Sequence, residues 1–133
     1  MATRLRHIAI VVPDPQRAAT FFEQAFGMAR AGTARRGVSM SDGVMNVALL
    51  RTECDEKPGL CHFGMWVDDL DEAEKKVKAA GGTYLAGRPT SALSFYEAKY
   101  RDPDGVVFDL THTGWRGAVK EVVPAESEKI PAE

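Results

Sequence analysis

The chain is predicted to be an α+β protein built from two tandem βαβββ modules, which form a curved mixed sheet around a cleft with the helices packed outside. Three observations lead there. The first is an internal repeat. His7–Gly27, HIAIVVPDPQRAATFFEQAFG, is restated as His62–Gly82, HFGMWVDDLDEAEKKVKAAGG. At one constant offset His7 falls on His62, Ala9 on Gly64, Val11 on Trp66, Val12 on Val67, Asp14 on Asp69 and Ala18 on Ala73. Self-similarity at fixed spacing marks a duplicated supersecondary unit. The second is a change of period inside each copy, from two-residue alternation through an acidic turn to a helical stripe that ends in glycine. The third is the sequence after each copy. Both copies lead into strand-like segments broken by turn residues, so that each half reads β-α-β-β-β. Two such half-sheets can face one another across a cleft and bury their outer faces under helices.

Each element has its own local signal. Leu5–Val12 alternates and is β-branched, which predicts a strand with His7, Ala9 and Val11 on one face and Ile8, Ile10 and Val12 on the other. Pro13-Asp14-Pro15 stops it. Asp14 is an N-cap and Pro15 suits the first helical position. Ala18, Phe21, Phe22, Ala25 and Phe26 then form one apolar stripe, and Gly27 closes the helix. Short strands are expected over Met28–Thr33 and Gly37–Ser41, then a turn at Ser41-Asp42-Gly43 and a strand over Val44–Arg51. Thr52–Gly59, polar with Pro and Gly, is the loop between halves. In the second half Cys61–Val67 is a strand with His62, Gly64 and Trp66 on one face. Asp68-Asp69 caps a helix over Leu70–Ala80, with Leu70, Ala73, Val77 and Ala80 inward and Glu72, Glu74, Lys75, Lys76 and Lys78 outward. Strands are expected over Thr83–Gly87, Leu93–Arg101 and Val106–Thr111, with a loop over Arg88–Ala92 and a strong turn at Asp102-Pro103-Asp104-Gly105. One domain is expected over 1–117, its modules at about 4–52 and 60–112, and then a polar tail over 118–133.

Composition bounds the function. With 133 residues the chain is long enough for a core, and a net charge of −2 argues against nucleic acid or an anionic membrane as partner. Two cysteines, Cys54 and Cys61, make no disulfide framework, and they suit a reducing compartment. Met1–Arg6 carries no secretory segment and no apolar run reaches membrane-spanning length, so the expectation is a cytoplasmic protein. Open half-sheets leave edges to be covered, and a homodimer is expected.

The inward face carries the candidate chemistry. The histidines heading the two copies occupy matched positions, so pseudo-two-fold symmetry brings them toward a common point. Asp109 is the lone acid in the apolar run VVFDL, and a buried carboxylate must be paired, hydrogen-bonded or metal-bound. Two imidazoles and a carboxylate make a recurrent divalent metal site, so His7, His62 and Asp109 are the candidate ligands for Mn, Fe, Ni, Co or Zn. Each residue also has a plainer use. Strand histidines are most often structural, and Asp109 could cap backbone or pair with Arg116 or Lys99. Trp66 could stack on a substrate or fill the interior. Arg51, Arg88, Lys99 and Arg101 could bind an anionic substrate or simply be solvated. Glu97 is the other acid in a predicted strand and shares its face with Lys99, whereas Tyr96 and Tyr100 lie on the opposite face. Glu97 is the candidate base and Tyr100 a candidate donor. The pocket is expected to include Asn46, Ala48, Trp66, Lys99, Trp115 and Arg116.

The repeated His-led strand, acidic turn, helix and glycine, together with DPDGVVFDL closing the second half, resemble the vicinal oxygen chelate superfamily, which includes glyoxalases, methylmalonyl-CoA epimerase, fosfomycin-resistance transferases, bleomycin-binding proteins and extradiol dioxygenases. The resemblance covers roughly Leu5 to Leu110. It implies metal ligands on the first and fourth strands of each half: His7 and His62 on the first strands, and Asp109, where the family usually has Glu, on the last. The corresponding first-half position is Ala48, or Val47 if the turn is one residue different, and neither can bind metal or act as a base. At most three protein ligands are therefore expected. The resemblance implies a metal-dependent enzyme, a glyoxalase-like lyase or isomerase or a related transferase, acting on a small oxygen-rich substrate. A metal-free binding protein of the bleomycin-resistance kind and a small extradiol-type dioxygenase are the alternatives.

Overall fold

The helices and strands follow the local signals, except that Val44 and Met45, and Tyr96 and Glu97, expected within strands, precede them. The structure is a computed structural model that describes residues 3–34, 36–53, 57–88 and 96–112. Cys54, most of the 88–92 loop, the start of the predicted 93–101 strand, Trp115, Arg116 and the 118–133 tail lie outside the described residues. The first half runs β1 (Arg4–Val12), α1 (Pro15–Phe26), β2 (Ala29–Ala34), β3 (Gly37–Ser41) and β4 (Asn46–Arg51). The second runs β5 (Gly59–Trp66), α2 (Leu70–Ala79), β6 (Thr83–Ala86), β7 (Ala98–Arg101) and β8 (Val107–Thr111). Each half is thus β-α-β-β-β, as the repeat predicts. Asp14 and Asp69 cap the two helices, each accepting the backbone N–H three residues on at 3.1 Å. Gly27 closes α1 in the left-handed conformation, φ 68°, which glycine adopts without steric cost.

The two halves join edge to edge in one eight-stranded open, curved sheet, ordered β2-β3-β4-β1-β5-β8-β7-β6. β1 pairs in parallel with β4 and antiparallel with β5, and β5 pairs in parallel with β8. The two first strands therefore lie side by side at the centre of the sheet. Their ladder slips register between Leu5 and His7 and again between Ala9 and Ile10. Such bulges re-aim side chains, and these two bracket the stretch that carries His7.

Both helices cover one face. Under α1, Ala18, Ala19 and Phe22 pack on Ile8, Ile10, Val12, Val38, Met40, Val47 and Leu49. Under α2, Leu70, Ala73 and Val77 pack on Met65, Val67, Tyr96, Ala98, Tyr100, Phe108 and Leu110. Each fully buried side chain the size of Met40 or Leu49 contributes about 1.5–3 kcal/mol. Strand alternation then turns His7, Ala9, Asn46, Ala48, His62, Gly64, Trp66, Lys99 and Asp109 to the other face.

Three expectations about side chains need correction. Phe21 and Phe26 are exposed, because the apolar stripe of α1 is wider than the strip of sheet beneath it. Ala80 is exposed beyond the end of α2. Glu74, expected outward, is only 5 % exposed, because Tyr100 from the core beneath the helix and the half-exposed Arg88 both reach its carboxylate.

Candidate metal centre

One row of residues crosses the sheet on the face away from the helices. Asn46 on β4 stands opposite His7 on β1, His7 opposite Gly64 on β5, Gly64 opposite Asp109 on β8, and Asp109 opposite Lys99 on β7. His62, two residues before Gly64 on the same face, stands opposite Ala9. The antiparallel pairing of β1 with β5 thus brings the two repeat histidines together within one chain, and the parallel pairing of β5 with β8 sets Asp109 beside them.

Asp109 is the focus of the cluster. Its Oδ2 lies 3.4 Å from His7 Nε2 and 3.2 Å from His62 Nε2. The three ligand atoms all fall within 4.8 Å of one another. The two rings meet edge to face, with centroids 5.6 Å apart and planes at 89°. His7 and Asp109 are buried, and His62 is nearly so. Asp is one methylene shorter than Glu, yet its strand lies close enough for the carboxylate to reach both imidazoles. Bonds of about 2.1 Å to one ion imply ligand–ligand edges of roughly 3.0–3.4 Å, and the two edges from Asp109 Oδ2 to the histidine nitrogens, 3.4 and 3.2 Å, match that.

The electrostatics fit as well. Burial alone pushes the Asp109 carboxyl up, but the His62 and His7 imidazoles beside it and the Lys99 ammonium outweigh it and hold the group well below the usual carboxylate range. A ligand must be deprotonated, and this one is. His62 Nδ1 lies 3.4 Å from Cys61 Sγ, and its Nε2 faces Asp109 at 3.2 Å.

Gly64 makes the cluster possible. A Cβ there would stand 1.8 Å from His7 Cε1, 2.1 Å from His7 Nδ1 and 2.6 Å from Asp109 Oδ1. The ring and the carboxylate fill the space that any other residue would claim. Sequence reasoning does not single out Gly64. A signal exists all the same, since Ala9, another small residue, occupies the same place in the first copy.

The remaining candidates divide between the two faces. Asn46 is fully buried, and its Nδ2 donates to the Arg6 carbonyl at 3.0 Å. Ala48 pairs with Ala9, as Asp109 pairs with Gly64, and leaves the fourth ligand place without a donor. Trp66 is buried on β5. Lys99 Nζ lies 3.4 Å from Asp109 Oδ2 and 3.3 Å from Glu97 Oε2, so Glu97 reaches the cluster through Lys99. Tyr100 does not join it. It is buried on the helix face and its hydroxyl donates to Glu74, which corrects the expectation that it serves the cleft. Burial and that bond push its phenol up to about 12. Tyr96 lies in the same core, its hydroxyl 2.6 Å from His112 Nδ1.

Comparison with known proteins agrees with this architecture. The fold is similar to that of methylmalonyl-CoA epimerase from Mycobacterium tuberculosis, with a TM-score of 0.67 at 16% identity over 80% of this chain and 85% of that one. It is also similar to a glyoxalase/bleomycin resistance protein/dioxygenase superfamily member from Vibrio splendidus, with a TM-score of 0.61 at 20% identity over 83% of this chain and 98% of that one. In sequence the chain is 25% identical to a glutathione transferase, FosA, of Serratia marcescens over 121 residues, which span 86% of this chain and 83% of the relative. The family model matches residues 4–110, nearly the whole described fold, and the chain therefore belongs to the Glyoxalase/Bleomycin resistance protein/Dioxygenase superfamily.

Proposed function

We propose that the protein is a divalent-metal-dependent enzyme that acts on a small oxygen-rich substrate bound on the face away from the helices. The observation that carries this is the convergence of His7, His62 and Asp109, one ligand atom from each within 4.8 Å of the others, with Asp109 Oδ2 3.4 and 3.2 Å from the two Nε2 atoms. His7, His62 and Asp109 hold the ion. Two imidazoles and one carboxylate suit Mn, Fe, Co, Ni or Zn. Such an ion supplies Lewis-acid polarisation of adjacent substrate oxygens.

The other roles belong to the chain. With Ala48 in the fourth place, the first half offers no base, so proton transfer falls to Glu97. That carboxylate is half-buried and held by Lys99 on the same side of the sheet. Trp66, Asn46 and Ala48, on the same face as the cluster, would contact the substrate, and Trp115 and Arg116 remain candidates for it from the sequence. A lyase, isomerase or group transferase fits this division of labour. The relatives' names, an epimerase and a glutathione transferase, support that range of chemistries. A cytoplasmic homodimer completes the reading. Support comes from the edge strands β2 and β6 of the described sheet and from exposed Phe21 and Phe26, and no described helix is long and apolar enough to cross a membrane.

A second reading rests on Lys99. Its ammonium already neutralises Asp109, so the cluster is satisfied without an ion, as a metal-free binding protein would require. Metal analysis separates the two. Protein purified without chelator and incubated with Mn, Fe, Co, Ni or Zn should retain one equivalent, and His7→Ala and His62→Ala should each abolish retention. If the wild type keeps none of the five, the metal reading is wrong and the binding-protein reading stands.

A further inference from the structure

Lys99 has two acceptors in place, and one of them is also the ligand atom of the metal centre. β7 and β8 pair directly at Lys99 and Asp109. Nζ lies 3.4 Å from Asp109 Oδ2 and 3.3 Å from Glu97 Oε2. The same Oδ2 faces Nε2 of both histidines. One oxygen thus meets three nitrogens, and only two of those nitrogens can share an ion with it. A divalent ion draws on the Oδ2 lone pairs and repels an ammonium so close by, so its binding disfavours the Lys99–Asp109 contact. Lys99 is 34 % exposed, so its flexible stem can carry the charge off Asp109 without leaving the site.

The positive charge is also one-sided. In the first half Ser39 pairs with Ala48 as Lys99 pairs with Asp109 in the second. The cluster therefore has an ammonium on its β7 flank and a small neutral hydroxyl on its β3 flank. An anionic substrate entering between them meets a fixed polarity.

We propose that Lys99 is a two-position cation. Without metal it is the counter-ion of Asp109. With metal it turns to the substrate and anchors a negatively charged oxygen beside the pair of oxygens that the ion chelates. The preferred substrate is accordingly a small oxyanion with two adjacent oxygen donors, of the α-hydroxy or α-keto carboxylate class, and metal binds before it. This rests on the metal reading given above.

The two positions make opposite demands on one residue, and that gives the test. Mn(II) is titrated calorimetrically into wild type, Lys99→Met, Lys99→Gln and Lys99→Arg, and oxalate is then titrated into each Mn(II)-loaded protein. The neutral variants should bind Mn(II) about tenfold tighter, because a unit charge beside the ion is gone. They should bind oxalate roughly tenfold or more weakly, because a charge-assisted hydrogen bond is lost. Lys99→Arg should stay near wild type in both. A residue that merely props Asp109 would instead weaken Mn(II) on removal. If the neutral variants bind Mn(II) no tighter, the counter-ion position is wrong. If oxalate affinity is unchanged, the anchor is wrong. A wild type that binds none of Mn(II), Fe(II), Co(II), Ni(II) and Zn(II), like His7→Ala, overturns the metal reading itself and this proposal with it.

Discussion

The imidazole of His7 occupies the space that a side chain on Gly64 would fill: a Cβ at Gly64 would stand 1.8 Å from His7 Cε1. The two residues face each other across the β1–β5 seam, so a ligand on one half depends on a missing side chain on the other. Gly64→Ala should therefore cost roughly 1–3 kcal/mol through overpacking and weaken metal binding sharply. Removing the ring removes most of the clash. The double variant His7→Ala/Gly64→Ala should be more stable than Gly64→Ala alone, with a coupling of at least about 0.5 kcal/mol in thermal or urea melts. Additive effects would contradict this contact.

Asp109 Oδ2 accepts from Lys99 and lies 3.4 Å from His7 Nε2 and 3.2 Å from His62 Nε2. Asp109→Asn keeps the shape but removes the charge that those groups share. Metal affinity should fall by more than about 100-fold. The metal-free protein should lose about 1–3 kcal/mol, measured by denaturant unfolding in the presence of chelator. A variant that still retained stoichiometric metal would show that the two histidines hold the ion without it.

Tyr100 and Glu74 form a separate unit on the helix face, with Arg88 reaching the same carboxylate. Tyr100→Phe and Glu74→Gln should each destabilise by about 1–2 kcal/mol, and the pair should be non-additive. Neither should alter Mn(II) affinity by more than about twofold, since the side chains lie on the opposite side of the sheet from the ligands. A large loss of metal binding in Tyr100→Phe would return that residue to the active site.

Alkali should find the same unit. The Tyr100 phenol is pushed from 10.0 up to about 12 by burial and its bond to Glu74. A group that ionises later in the folded chain than in the unfolded one contributes its full stability below the unfolded value and loses it as pH rises through the folded value. Stability should decline between about pH 10 and pH 12, and less so in Tyr100→Phe. Ultraviolet titration of tyrosinate should show a late-ionising phenol that this substitution removes. Ionisation of every tyrosine near pH 10 in the folded protein would contradict the buried bond.

The sequence makes some of this legible and not the rest, for physical reasons. His7, His62 and Asp109 can be read because strands have a two-residue period and because a repeat places equivalent residues at equivalent points. The helices can be read because Asp14, Asp69 and Gly27 are local punctuation. Which strand pairs with which across the halves is a long-range matter. Nothing within β1 or β5 announces that they meet antiparallel in one chain. Glu74 looks like any outward acid in a helical pattern, and its partners Arg88 and Tyr100 come from elsewhere in the chain. A tyrosine such as Tyr100 invites a part in the cleft, although its parity, opposite to that of Lys99, already places it on the other face. Parity is the better guide.

Among the described residues, β1 and β5 form the one direct ladder between the halves, and each supplies one of the two histidines. The proposed metal centre would thus be a clasp across the joint rather than an insert in either half. Opening that joint would part His7 from His62 and Asp109 and release the ion. Whatever ion the cluster holds must therefore tie the melting of one half to the melting of the other, so that loading it should sharpen unfolding into a single event as well as raise its midpoint.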